Sequence, residues 1–174
     1  MVDRTIVQGD GVDDILTCSN NAYLGINMPM TSYAVGNLFS QTFNAISQNF
    51  STSSNNQTRV VGRLASANNL VGFVRDDIST TSQSSSTQTM NIINCYIHKV
   101  GSGVNTVYVN AVQKSTQNTI LTTSSLNSIS VFSRGPFSNG QTTATTIIYS
   151  LAQDSDPRIT LMNNYIKSIN NNAF

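Results

Sequence analysis

The chain has 174 residues, a formal net charge of +1, and charged side chains at only 10% of its positions, where an ordinary soluble domain carries about 25%. Every acidic residue is Asp, and Ser, Thr, Asn and Gln fill the space that Glu and Lys usually take. So little charge excludes a nucleic-acid surface, which needs clustered Lys and Arg to displace counterions, and the length fits a single domain over residues 1–174.

The first 30 residues read as irregular or extended, an N-terminal arm in which TIVQ is a short strand and GDGVDD a turn. The opening MVDRTIVQGDGVDD lacks the charged-then-apolar layout of a secretory signal. Residues 15 to 58 carry no charge, yet Ser19, Asn20, Asn21, Asn27, Pro29, Thr31, Ser32 and Asn37 break them. No membrane-spanning helix fits there.

From 31 to 50 the period changes. Val35, Leu38, Phe39, Phe43, Ile46 and Phe50 recur at three- and four-residue steps, which predicts an amphipathic helix over about 32–48 with Thr31 or Ser32 as its cap. Its polar face is Asn and Gln, so its intrinsic helix propensity is poor.

STSSNNQT (51–58) is a loop by composition. RVVGRLA (59–65) and LVGFVRD (70–76) then read as a hairpin, with Gly62 and Gly72 at matching places. A glycine inside a strand points to a bulge or a close backbone approach. ISTTSQSSSTQT (78–89) has no apolar residue after Ile78 and reads as an exposed loop or a solvated edge strand.

The strongest local pattern is MNIINCYIHKV (90–100), then GSG, then VNTVYVNAVQ (104–113), a hairpin. In its first strand Ile93, Cys95 and Ile97 share one face, while Met90, Ile92, Tyr96 and His98 share the other. Apolar residues on both faces place that strand centrally in its sheet. Residues 119 to 133 hold one long or two short strands, RGPFSNGQ (134–141) is a turn, and TTATTIIYSLA (142–152) is a strand. A helix over 157–170 follows. Asp156 is its expected cap, Pro157 its first residue, and Ile159, Met162, Tyr165, Ile166 and Ile169 its apolar stripe.

Candidate chemistry is sparse. Cys95 and His98 form C-x-x-H, but three residues apart on a strand they face opposite ways, and no second pair completes a zinc set. Cys18 and Cys95 read as buried thiols, with one disulfide as the alternative. Asp10, Asp13 and Asp14, or Asp154 with Asp156, offer calcium oxygens without the spacing of a calcium loop. Asn49-Phe50-Ser51 and Asn56-Gln57-Thr58 match the glycosylation pattern, which arises by chance in so Asn- and Ser-rich a chain. No nucleophile elbow, phosphate loop or dinucleotide fingerprint occurs. No catalytic, cofactor-binding or metal-binding residue is therefore assigned, and no cofactor is expected.

These readings predict a β-dominated α+β protein: an antiparallel sheet or sandwich of about seven strands with helices at about 32–48 and 157–170. Low charge with many strands favours contact with copies of itself. The leading functional expectation is a structural subunit of a homo-oligomeric assembly, of virion capsid, tail or fibre type or an extracellular filament. Its partners are other copies and possibly further assembly subunits, in a virion or extracellular setting. The alternative is a carbohydrate- or receptor-binding β-sandwich module.

Overall fold

A computed structural model describes residues 7–8, 16–19, 30–38, 45–50, 58–63, 69–75, 81–87, 92–101, 103–118, 128–131, 142–150 and 153–174. In chain order the strands are β1 (Val7–Gln8), β2 (Leu16–Ser19), β3 (Met30–Leu38), β4 (Ala45–Phe50), β5 (Thr58–Arg63) and β6 (Asn69–Arg75). They continue with β7 (Thr81–Thr87), β8 (Ile93–Gly101), β9 (Val104–Val109), β10 (Val112–Asn118), β11 (Ser128–Val131) and β12 (Thr142–Ser150), and one helix follows, α1 (Asp156–Ile169).

The strands form two antiparallel six-stranded sheets, β1-β12-β3-β8-β9-β10 and β2-β11-β4-β5-β6-β7. The N-terminal stretch contributes an edge strand to each. Residues 58–63 and 69–75 pair as the predicted hairpin, with Val61 opposite Gly72 and Gly62 opposite Val71. Residues 81–87 are the edge strand β7 and not an exposed loop.

The pairing Tyr33–Ile97–Tyr108 runs across β3, β8 and β9 and fixes which residues share a face. Tyr33, Val35, Cys95, Ile97 and Tyr108 form one buried cluster with Ile159 and Ile166 of α1. Ala34, Tyr96, His98 and Val107 lie on the opposite face, against the second sheet. The helix thus covers the outer face of its own sheet. Burying Ile159 and Ile166 contributes about 1.5–3 kcal/mol each before entropy, and a helix this short depends on such packing.

The helix expected over 32–48 is absent from the described residues of that range. Residues 30–38 and 45–50 are strands. The cause is position. β3 lies between β12 and β8 with a layer on either side, so Met30 through Gly36 are all buried. Both of its faces therefore accept small and apolar side chains, and the period of two disappears from the sequence. Its hydroxyls find partners: Thr31 Oγ1 accepts the Asp154 N–H at 2.9 Å, and Ser32 Oγ donates to the His98 carbonyl at 3.4 Å.

The run 104–113 also differs from its reading as one strand. Asn110 and Ala111 adopt φ of 51° and 64°, a two-residue turn of the primed kind that joins β9 to β10. Asn110 is well held there. Its Oδ1 accepts the Cys95 N–H and its Nδ2 donates to Asn94 Oδ1, both at 2.9 Å.

The C-terminal helix matches its prediction to within one residue, but its start is built differently. Ser155 is the N-cap residue and makes no side-chain cap bond, while Asp156 is the first helical residue. The far end is a complete Schellman motif. Asn172 N–H donates to the Lys167 carbonyl at 2.9 Å and Asn171 N–H to the Ser168 carbonyl at 3.3 Å. Asn171 and Asn172 take left-handed φ of 52° and 56°, the conformation Asn tolerates best after glycine. Part of the expected stripe faces outward: Tyr165 and Ile169 are exposed, as is Leu161. The buried positions are Ile159, Asn163 and Ile166.

Candidate functional site

An open groove of about 450 Å³ runs between the β9–β10 surface and the start of α1. Its walls come from distant parts of the chain: Lys99 at the end of β8, Thr106 and Tyr108 on β9, Gln113 and Thr116 on β10, and residues 153–156. The register explains the grouping. Lys99 pairs with Thr106, and Ile97 with Tyr108, so Lys99, Thr106 and Tyr108 lie on the face that α1 covers. The helix starts beside them and leaves this corner partly open.

Asp154 is an anchor. It is 2% exposed. Its Oδ2 accepts the Tyr33 hydroxyl at 2.6 Å, and its Oδ1 accepts Ser150 Oγ at 2.9 Å and pairs with Arg158 Nε at 3.0 Å. A buried carboxylate is tolerated when its oxygens are satisfied in this way. It ties β3, β12 and the first turn of α1 together. Burial pushes the Tyr33 hydroxyl far above the ordinary tyrosine range, and the bond to the Asp154 carboxylate adds to the effect.

Asp156 faces the groove. Its Oδ1 takes both Lys99 Nζ at 3.1 Å and the Tyr108 hydroxyl at 2.9 Å. The hydrogen bond from Lys99, and after it that from Tyr108, hold its carboxyl below the usual carboxylate range. The Tyr108 hydroxyl is pushed up, by burial first and by its bond to Asp156 second. Lys99 Nζ also stands 6.0 Å from the centre of the Tyr108 ring. Across the groove Thr106 Oγ1 and Thr116 Oγ1 share a hydrogen bond of 2.8 Å. Gln153 lies flat on Gly101. A Cβ at Gly101 would overlap the Gln153 amide carbon and stand 2.6 Å from its Nε2. The absence of a side chain at position 101 therefore places that amide in the wall.

Asp154 and Asp156, read in sequence as a pair for one cation, turn to different partners and each holds a cation of the chain itself. Among the described residues no group of three His, Cys, Asp or Glu gathers to hold a metal. Cys95 and His98 lie on opposite faces of β8. Cys95 is a free, buried thiol under the helix, pushed up to about 12 by burial. His98 lies between the sheets, with Nε2 2.8 Å from Asn105 Oδ1. Cys18 lies on β2 opposite Ile129, and Asn49 on β4. Asp10, Asp13, Asp14, Asn56 and the 134–141 turn fall outside the described residues.

Sequence reasoning singled out Asp154 and Asp156 but missed Lys99, Tyr108 and the β10 residues that meet them. No local pattern links positions 57 residues apart, the separation of Lys99 and Asp156.

No protein-family model matches the chain, and no curated protein does. Solved structures do. The binding domain of botulinum neurotoxin serotype G superposes with a TM-score of 0.74 and 8% identity, over 95% of this chain and 46% of that one. The binding domain of Paraclostridial Mosquitocidal Protein 1 gives 0.70 and 12%, over 92% and 43%. The binding domain of botulinum neurotoxin DC in complex with SialylT gives 0.66 and 12%, over 92% and 42%. At such identities the likeness is one of fold, and the chain spans less than half the length of each of these domains. The class defined is a two-sheet antiparallel β-sandwich with a C-terminal helix, and its fold likeness is to β-rich binding domains.

Proposed function

We propose that the chain is a non-catalytic binding module that recognises a carbohydrate or a receptor in an extracellular setting. The observation that carries the proposal is the groove beside Asp156: open, polar, assembled from three strands and a helix start, on a fold similar to that of binding domains. This was the alternative reading of the sequence, and the fold likeness favours it over the assembly subunit. The groove's own chemistry supports a partner rich in neutral hydrogen-bonding groups. No helix among the described residues is long and apolar enough to cross a membrane. The test is binding of the purified chain, labelled on its amines at low stoichiometry, to intact cell surfaces before and after enzymatic removal of glycans and of protein. Saturable binding lost with either treatment is expected. Absence of saturable binding before treatment overturns the proposal.

A second reading keeps the self-associating subunit. It is supported by Leu161, Tyr165 and Ile169, an exposed apolar line along α1. Light scattering of the parent and of Tyr165→Ser separates the two: a defined oligomer dissolved by the substitution favours assembly, and a monomer in both favours the module.

A further inference from the structure

We infer that the groove is selective for an uncharged saccharide and discriminates against an acidic one, with Asp156 as the discriminating residue; this rests on the binding-module reading.

The argument is one of charge and of hydrogen-bond capacity. Among the lining side chains, Lys99 is the one cation and Asp156 the one exposed anion, and they neutralise each other. Asp154 is also in the wall but its side chain is 1% exposed and is paired with Arg158. A ligand carboxylate entering here would have to take Lys99 from Asp156, and would then face the released Asp156 charge at short range. Like charges so placed are costly. A ligand cation would meet the same obstacle from Lys99. An apolar ligand finds Val104 as the one aliphatic side chain in the lining, since Tyr108 is almost wholly buried and the other walls carry hydroxyls, amides or charges.

A sugar suits what is left. Both of the bonds to Asp156 fall on Oδ1, so Oδ2 keeps its lone pairs for hydroxyl donors, on a side chain 68% exposed. Gln113 and Thr116 are exposed on β10, and the Gln153 amide is placed in the wall by Gly101. Amides and hydroxyls offer donors and acceptors together, matching the dual character of a sugar hydroxyl. The volume falls in the range of small-molecule sites.

The experiment is a nuclear magnetic resonance titration of the full chain with lactose, maltose and 3′-sialyllactose. The same titrations are run on Gln113→Ala/Thr116→Val and on Asp156→Asn, with circular dichroism confirming that each variant folds. A neutral disaccharide is expected to shift the backbone signals of Thr106, Gln113, Thr116 and Asp156. The β10 double variant should weaken it at least tenfold. Asp156→Asn frees Lys99, and should improve sialyllactose relative to the neutral sugar at least tenfold. Preference of the parent for sialyllactose, or a neutral sugar whose binding ignores the β10 variant, overturns the inference and leaves the binding-module reading standing. Binding of none of the three sugars also overturns it, and the cell-surface assay then decides the broader reading separately.

Discussion

Gly72 of one sheet lies directly against the His98 ring of the other. A Cβ built at position 72 would stand 2.8 Å from His98 Cδ2 and 2.9 Å from Nε2, and would overlap Val107 Cγ1. A short polar chain runs through the same place. Asn105 Nδ2 donates to the Gly72 carbonyl at 2.9 Å, and Asn105 Oδ1 meets His98 Nε2 at 2.8 Å. Since the Asn105 amide nitrogen is the donor to Gly72, its oxygen accepts, and His98 carries its proton on Nε2. The sheets are therefore joined by hydrogen bonds at a level where a glycine lets them approach this closely.

Gly72→Ala should cost about 1 to 3 kcal/mol, the range for overpacking a closed interior. Val107→Ala in the same chain should recover part of that loss, because Val107 Cγ1 is the nearest obstacle. Urea unfolding of the two single variants and the double variant measures the coupling. Additive losses would show that Val107 does not bear on a side chain at position 72.

Ala111→Gly should stabilise the protein. Ala111 holds a left-handed φ of 64°, which costs an L-residue roughly 1–2 kcal/mol. Glycine removes that cost and loses a small packing contribution, since Ala111 is only half-buried. The expected gain is on the order of 0.5–1 kcal/mol, a few degrees in the thermal midpoint. A lower midpoint would mean that the methyl group's packing outweighs the backbone strain.

Stability should fall steeply in alkali. Tyr33 and Tyr108 both have hydroxyls whose pKa is raised above the ordinary 10.0. Groups raised on folding contribute below their unfolded pKa, and the contribution is lost as pH rises beyond it. The window therefore opens near pH 10, where the unfolded chain ionises and the folded chain does not. Tyr33→Phe should flatten the slope there while weakening the protein at neutral pH, because Asp154 loses its 2.6 Å donor. Ultraviolet titration of tyrosinate, run beside circular dichroism, checks this. Full ionisation of the tyrosines near pH 10 with the fold intact would contradict it.

Asp156 works in the opposite direction. Its lowered carboxyl contributes above the unfolded value, about 3.9, and the contribution is lost as pH falls through the folded one. The pair with Lys99 is largely exposed on the Asp side, so its worth is small, about 0–1 kcal/mol. Lys99→Met should accordingly leave neutral-pH stability within about 1 kcal/mol of the parent, while the Asp156 carboxyl carbon signal titrates at higher pH. An unmoved titration would mean that Tyr108 alone holds the carboxylate.

Cys95 should resist thiol reagents until the protein unfolds. Its thiol lies beneath Ile159 and Ile166 and ionises only near pH 12, and the thiolate is the reactive form. In a Cys18→Ser background, labelling at pH 8 should keep pace with unfolding as urea is raised. Prompt modification of the native protein would show that the helix lifts from its sheet.

The sequence made some of this legible. The 93–101 and 104–109 hairpin and its central placement followed from apolar residues on both faces around a Gly-rich turn. The last helix followed from Pro157 and the Ile159–Ile166 spacing, and the close approach at Gly72 from a lone glycine within a strand. The helix over 32–48 was misread because a doubly buried strand shows no alternation, and chance spacing then decides between periods. The turn at Asn110-Ala111 was hidden because alanine does not announce a left-handed φ. The groove was illegible for another reason. Lys99, Tyr108 and Asp156 meet only once the helix has folded back over β8 and β9, and nothing near any one of them in the chain marks the others.

That folding back has a temporal side. Tyr33 and Val35 are synthesised more than a hundred residues before Ile159 and Ile166, their cover on the outer face. At roughly 5–20 residues per second on the ribosome, that face waits bare for several seconds or longer. Until α1 emerges, the nascent sheet is an apolar surface with one layer missing. A chaperone that holds apolar surfaces would have its longest opportunity in that interval, which closes when α1 docks.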